Sequence, residues 1–413
     1  MRHEAVARPR SRFSLTTFQA LKYRDYRLLF FGQVGSGLAQ QAEMLIRSWL
    51  ILDLTGSAVM LGLVHVTRAV GSFLVTPVSG VVADRIDRRY LLIAANLVNA
   101  LFFLLLAVLV ITEQIEVWHV GVSAIVAGAA MTMQNAAKQA IIPSMVPREG
   151  IMNAVALNAV TMGADRILGP SMAGFMIQFT GVQGAYLALG ALMIIPAILY
   201  GFVRPVKVVQ PVQESFTRSF LEGVSFSLRT PVVRIIILVN LTAILLSLPY
   251  LQMMPLYVRE VLDMGPGALG LIVAIPGFLT IGGGLVAASL GDFKYKGRLM
   301  FVGAIASPFT CIVLALTASF WAAVLAACIH GVGTSQWQPA SQSAMMKQTP
   351  DHLRGRVTSF MSMTSTTGQA GIVLWGVAAD QFGIPAAYLT FGVLALVLQV
   401  VYYVTMKSYR QFS

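Results

Sequence analysis

Gly80-Val-Val-Ala-Asp84-Arg85-Ile-Asp87-Arg88-Arg89 is a compact charged break between two long apolar runs, Ser57–Ser79 and Tyr90–Ile111. Each run is about 22 residues long, enough for a helix to cross the hydrocarbon core of a bilayer. So short a connection makes the two helices antiparallel neighbours. Asp87 is placed to cap the helix that starts at Arg88, and Asp84 stands where a carboxylate can answer a neighbouring helix N terminus. The three arginines resist translocation and put the loop on the cytoplasmic side.

The rest of the chain extends this pattern. Of 413 residues, 57% are apolar and only 11% charged, against roughly 45–50% and 25% in soluble domains. Mean hydropathy is +0.75. The chain is therefore read as an all-α polytopic membrane protein. Apolar runs lie near 28–52, 57–79, 90–111, 117–138, 154–178 and 183–203, then near 232–257, 267–290, 299–317, 320–341, 357–379 and 385–406. That gives twelve transmembrane helices: a six-helix bundle at 1–203, a cytoplasmic linker at 204–231 and a second six-helix bundle at 232–413. In the linker, Phe216, Phe220, Val224 and Phe226 alternate with Arg218, Glu222 and Arg229 at near-helical spacing, as in a helix lying on the inner membrane surface. A short interfacial helix is also expected around Leu15–Arg27. The basic N terminus has no cleavage signature, and its first apolar run is too long for a signal-peptide core, so the first helix should remain in place.

Loop charges test this topology independently. The termini and alternate loops hold 25 of the 29 Lys and Arg residues, Lys138 among them, whereas the opposite loops hold only Arg259. Arg47, Arg68 and Arg166 fall inside spans. Both termini are therefore expected in the cytoplasm, in the plasma membrane of a cell or the inner membrane of a bacterium. The net charge of +12 is a topology signal, and no nucleic-acid partner is expected. Cys311 and Cys328 both sit in apolar runs, so no disulfide framework or metal cluster is read, and no cofactor.

The two halves repeat each other weakly. Asp84 finds a counterpart in Asp292, 208 residues on, while Gly169 and Gly174 match Gly371 and Gly376, 202 residues on. Repeated bundles with a site between them near the midplane are a transporter layout.

Gly80-x-x-x-Asp84-Arg85-x-x-Arg88-Arg89 resembles the signature loop of the major facilitator superfamily. The resemblance covers nearly the whole chain and is nearest to twelve-helix proton-coupled drug and siderophore exporters. Pro143-Ser-Met-Val-Pro-Arg-Glu149 is similar to that group's fourth-to-fifth loop, and Pro350-Asp-His-Leu-Arg-Gly-Arg356 to the loop before the eleventh helix. Gly163 through Leu168-Gly169-Pro170-Ser-Met-Ala-Gly174 resembles the glycine-proline motif of antiporter fifth helices. The resemblance implies that Asp84 engages the N terminus of the eleventh helix while Arg85 and Arg88 reach acidic or carbonyl partners. Gly80, Asp84, Arg85, Arg88 and Arg89 would then form a cytoplasmic gate. Two positions depart from the family: the fourth helix lacks the arginine of many proton antiporters, having Lys138 at its cytoplasmic end, and Phe293 replaces the counterpart of Arg85 in the second loop copy.

Charges inside a bilayer cost at least ~2.5–3.5 kcal/mol each on insertion scales, so they mark function or a built-in partner. They are Glu43 and Arg47 in the first helix, Arg68 in the second, and Asp165 and Arg166 in the fifth. Gln33, Gly37, Gln40, Glu43 and Arg47 share one helical face; His65, Arg68, Ser72, Thr76 and Ser79 share another; Asn158, Thr161 and Asp165 a third, with Arg166 turned about 100° away. Such faces should line a wet cavity. Glu43 and Asp165 are the proton-coupling candidates, toggled by arginines; the competing reading makes Glu43–Arg47 a static i, i+4 pair and Asp165 a static bridge. Arg47, Arg68, Arg166 and His65 are read as charge partners or anion-binding groups, His65 alternatively as a plain interhelical bond. Gly163, Gly169, Pro170 and Gly174 permit close contact and a bend. Gln40, Tyr250, Gln252, Gln336, Trp337 and Gln369 are candidate cavity groups, each also readable as ordinary packing.

The function expected is alternating-access transport, with proton-coupled efflux of a small organic compound such as a drug, siderophore or metabolite. The partners are that substrate, protons and the bilayer, and the chain is expected to be monomeric. The alternatives are an importer or uniporter of an anionic solute or lipid, and a transporter-like receptor without flux. No nucleophile–base set or phosphate cradle marks an enzyme.

Overall fold

The computed structural model describes residues 15–205, 216–289, 296–350 and 353–406. The side chains of some helical residues, among them Asp84, Gln336 and Gln369, lie outside the described set, as do Gly80 and the second loop copy around Asp292 and Phe293.

A 3-10 helix at Leu15–Lys22 leads into α1 (Arg24–Thr55), followed by α2 (Ala58–Arg85), α3 (Arg88–Ile111) and α4 (Val117–Met145). The run Ile151–Gly201 is helical throughout except at Gly181, whose φ of 69° and ψ of 176° suit a residue without a Cβ. Tyr26 donates to the Ala154 carbonyl, and Gly32 packs on Tyr200. Both ends of the run therefore lie beside the start of α1, and Gly181 is the tip of a hairpin between α5 (151–180) and α6 (182–201). After the amphipathic α7 (Phe216–Arg229) come α8 (Pro231–Glu260, with a π turn at Ala243–Ser247), α9 (Pro266–Ser289), α10 (Lys296–Leu316), α11 (Phe320–Gln348), α12 (Arg354–Phe382) and α13 (Ile384–Thr405).

Local chemistry explains the breaks. Gly56, at φ 63°, ends α1 by bonding back to Leu52, and the next residue, Ser57, caps α2 by accepting from Met60 N–H. Asp87 caps α3 as expected, accepting from Arg89 N–H at 3.0 Å. The π turn in α8 leaves carbonyls without helical donors. Trp375 Nε1 of α12 donates to the Leu246 carbonyl at 3.2 Å, where Gly371 brings α12 against the backbone of Leu245.

Six stretches of the described residues are long and apolar enough to cross a membrane by themselves, with shorter apolar runs in α9 to α12. Phe73, Leu74, Leu101, Phe179 and Leu325 are all exposed on the outer surface, as suits helices facing lipid. The first helix starts earlier than hydropathy places it, at Arg24, because its first turn is polar. More consequentially, α4 runs on to Met145. Lys138 therefore lies two turns inside a helix and does not belong to a loop.

α1–α6 and α8–α13 form two six-helix bundles related by an approximate twofold axis. Gly174 of α5 packs on Pro266 and Gly270 of α9; Gly376 of α12 packs on Ala58 and Val59 of α2, and Gly62 of α2 on Ile372 and Val373. The 202- and 208-residue offsets are thus the repeat of one interface. One buried core runs through both bundles at the end farthest from the chain termini, containing Tyr186, Leu61, Tyr250, Trp375 and Tyr388. At the end carrying the termini the core divides. Tyr26, Leu92, Ile141 and Tyr200 belong to the first bundle, and Ile236, Trp337, Met345 and Val357 to the second. The bundles are joined at the distal end and parted at the terminal end.

Candidate functional site

Between the bundles lies a cavity of 560 Å³, within the ~300–1,000 Å³ that holds small organic ligands. α1 supplies Gln40, Gln41, Met44 and Ser48; α2 supplies Arg68; α4 supplies Met131, Asn135 and Lys138; α5 supplies Met162, Asp165, Arg166 and Pro170. The facing wall is Leu251, Gln252 and Pro255 of α8 with Leu269 and Val273 of α9. Among the described residues, the first bundle brings every charge and the second brings apolar surface and one amide.

Spacing alone placed the polar faces of α1, α2 and α5 together, and they do converge. Glu43 is 1% exposed and forms an ion pair with Arg47, itself 2% exposed. The second carboxylate oxygen of Glu43 accepts from Arg68 Nη1 at 3.4 Å. One carboxylate therefore holds two guanidinium groups. Arg68 also reaches Met131 Sδ at 3.2 Å, which fixes it at the cavity wall. Glu43 itself sits behind that wall. His65 is buried, with Nε2 3.2 Å from the Ser48 hydroxyl; of its two readings, the structure gives the interhelical bond.

Asp165 is 6% exposed and lines the cavity. Its Oδ1 has no hydrogen-bond partner among the described residues. It lies against Gly37 of α1, where a Cβ would run into the carboxylate. Among the described residues no ion pair joins Asp165 to an arginine, although Arg166, the next residue of α5, lines the same cavity. The nearby cation is Lys138, close enough to interact electrostatically without direct contact. Hydropathy does not single out Lys138, because the apolar run ends there while the helix continues to Met145. Gln134, four residues earlier on the same face, would have been the signal; its Oε1 accepts from Gln40 Nε2 at 2.9 Å.

Other candidates separate. Gln252 lines the cavity. Tyr250 does not: it is fully buried, edge-on to His330 at 5.0 Å between ring centroids. Trp337 also faces away, packed at Gly303 of α10. Both are large enough to be claimed by the second bundle's own core. Gln336 and Gln369 lie outside the described side chains.

Among the glycines of α5, Gly169 and Gly174 do make close contacts, with α1 and α9. Gly163 does not, since nothing lies within 4 Å of a Cβ built there. Pro170 lines the cavity while helical geometry continues through it.

At the terminal end, Arg88 Nη1 donates to the Ala140 carbonyl of α4 at 2.9 Å. Arg89 Nη1 donates to the Val203 carbonyl at 2.9 Å and lies over the Tyr90 ring. These bonds clamp the loop onto its own bundle. Arg85 is exposed, and the Asp84 side chain lies outside the described residues.

At the distal end, Asp380 of α12 accepts from Ser57 Oγ and Ala58 N–H at 2.7 Å each and from Val59 N–H at 3.1 Å. Gln178 Oε1 of α5 accepts from Gly267 N–H of α9 at 3.4 Å. Arg259 pairs with Asp53 at 2.9 Å. All three tie one bundle to the other.

The sequence profile of a family described as transmembrane secretion effector matches residues 15–411. The chain is 26% identical to the multidrug efflux pump Tap of Mycolicibacterium fortuitum over 91% of this chain and 94% of that one. It is 22% identical to macrolide efflux protein A of Streptococcus pyogenes over 92% and 96%. Among solved structures, a bacterial homolog of the human lysosomal transporter Spinster, in an inward-facing and unoccupied conformation, superposes with a TM-score of 0.73 at 12% identity, covering 95% of this chain and 98% of that one.

Proposed function

The chain belongs to the transmembrane secretion effector family of the major facilitator superfamily, and on that premise we infer that it exports a small organic compound in exchange for protons. It is a multi-pass transporter and not an enzyme. The observation that carries the reading is Asp165: a carboxylate almost wholly enclosed, lining the central cavity, with one oxygen unbonded and a lysine within electrostatic reach. Such a group can take a proton in one state of the cavity and release it in another. Glu43 is less suited, since it sits behind the cavity wall and is engaged by two arginines. Efflux as the direction follows from the two relatives, which are both named as efflux proteins.

The core shared at the distal end and split at the terminal end describes one limit of an alternating-access cycle. The positive-inside pattern makes the terminal end cytoplasmic, so this limit is the inward-open one. Rocking of 1–203 against 232–413, with 204–231 as the tether, would break the distal bonds and close the signature-loop gate. One proton falling through 100 mV releases roughly 2.3 kcal/mol, enough for about a fifty-fold substrate gradient.

Everted membrane vesicles with a preformed pH gradient test this directly. Adding a panel of amphipathic compounds of neutral, basic and acidic character should, for at least one of them, collapse part of the gradient in wild type and not in Asp165→Asn. Transport that persists unchanged in Asp165→Asn would refute proton exchange at this residue.

A further inference from the structure

Resting on that carrier reading, we propose that the cavity takes an amphipathic organic anion, its acidic group held by Lys138 and Arg166 and its apolar body laid on the wall formed by the second bundle. The charges at this depth do not balance. Four cations, Arg47, Arg68, Lys138 and Arg166, stand against two carboxylates, Glu43 and Asp165. Glu43 is shared by two guanidinium groups, and Arg68 directs its other terminal nitrogen to Met131. Asp165 influences Lys138 from a distance but does not touch it. Arg166 lines the cavity with no acidic group paired to it among the described residues. Two positive charges therefore remain uncompensated in a cavity set within low-dielectric surroundings, and a carboxylate, sulfonate or phosphate entering from water supplies what the fold withholds.

The opposite wall defines the rest of the ligand. Leu251, Pro255 and Val273 present apolar surface, and Gln252 adds the one amide from that side among the described residues. Among the described residues, no acidic residue of the second bundle lines the cavity, so nothing described there would favour a cationic head. Met44, Met131 and Met162 are adaptable surfaces that accept rings of different outline. An acidic head and an apolar body are thus directed to opposite bundles, and one ligand bridges both.

Three probes that share a ring and differ in their head group separate this from a charge-blind site: pyrenebutyrate, pyrenebutyramide and pyrenebutylammonium. Fluorescence anisotropy with the full-length protein in detergent, corrected for protein-free micelles, reads their affinities. Pyrenebutyrate should bind at least about tenfold tighter than the amide, and the ammonium most weakly. The double variant Lys138→Met, Arg166→Met should lose that preference and keep the amide affinity. Lys138→Arg with Arg166→Lys should retain it. Should the double variant fail to fold, Arg166→Gln alone should still lower pyrenebutyrate affinity several-fold at an unchanged unfolding temperature. Equal affinities, a preference for the ammonium, no binding of any probe to wild type, or variants that keep the anion preference would each overturn the proposal. The vesicle assay reports on the antiport reading separately: a wild-type protein that leaves the pH gradient intact, or an Asp165→Asn variant that still collapses it, removes proton exchange at Asp165, while an intact probe ranking still supports the anion site.

Discussion

Gln178 and Asp380 occupy equivalent places 202 residues apart, each at the distal end of its bundle's fifth helix and each capping the second helix of the other bundle. The two caps are unequal. Asp380 is charged and takes three hydrogen bonds from the start of α2, whereas the amide of Gln178 takes one long bond from the start of α9. A carboxylate at a helix N terminus also meets the positive end of the helix dipole. The distal closure is therefore carried mainly on one side of the twofold axis.

Asp380→Ala should favour the state in which the distal end is open. Losing an N-cap costs about 0.5–2 kcal/mol, which corresponds to roughly a two- to thirty-fold change in the ratio of the two states. Spin labels at the distal ends of α2 and α12 would read it as a growing long-distance population. Gln178→Ala should produce a smaller shift in the same direction. An unchanged distance distribution in Asp380→Ala would refute the latch.

The Arg259–Asp53 pair joins the bundles at the same end, but both side chains are about two-fifths exposed, at 44% and 42%. Exposed pairs contribute only about 0.2–1 kcal/mol and are screened by salt. Arg259→Ala should accordingly move the spin-label distances much less than Asp380→Ala, and the small effect should vanish at high ionic strength. A larger effect for Arg259 would reverse the assignment of the latch.

The helices and their order were legible in the chain because hydropathy, loop charge and caps such as Asp87 are local properties. The charged faces of α1, α2 and α5 were legible for the same reason, since the 3.6-residue period fixes which residues share a face. Partner choice was not. That Glu43 holds both Arg47 and Arg68 while Asp165 has no arginine depends on how α1, α2 and α5 rotate against one another. Lys138 was missed because an apolar-run boundary is blind to a helix that continues through polar residues. Tyr250 and Trp337 are readable both as cavity groups and as ordinary packing because aromatic residues suit ligand sites and cores alike, and only packing distinguishes them.

The glycines of α5 show the same division, and it can be measured. Spacing treats Gly163, Gly169 and Gly174 alike. A Cβ at Gly169 would stand 3.0 Å from Ala42 N and from Leu38 O of α1, and one at Gly174 would stand 2.6 Å from Pro266 O of α9. Gly169→Ala and Gly174→Ala should each destabilise by about 1–3 kcal/mol through overpacking against backbone. Gly163→Ala meets open space and should gain up to about 1 kcal/mol from helix propensity. Thermal unfolding of the three purified variants in detergent checks the order, and a Gly163→Ala protein as unstable as the other two would contradict it.

The Glu43 cluster makes the sharpest stability prediction. Neutralising Glu43 leaves Arg47 and Arg68 buried beside one another with no counter-charge, and breaking a buried ion pair in this way costs about 3–5 kcal/mol. Glu43→Gln should therefore lower the unfolding temperature strongly. Replacing Arg47 as well removes the more deeply buried of the two stranded charges, so Glu43→Gln with Arg47→Met should recover most of the loss. Arg68, which borders the water-accessible cavity, can then turn its guanidinium toward solvent. The single variant Arg47→Met should be mild by comparison, since Glu43 keeps Arg68 at 3.4 Å. Unfolding temperatures should thus rank wild type and Arg47→Met above the double variant, and the double variant above Glu43→Gln. If the double variant were the least stable of the four, the cluster would be stabilised by something other than charge compensation.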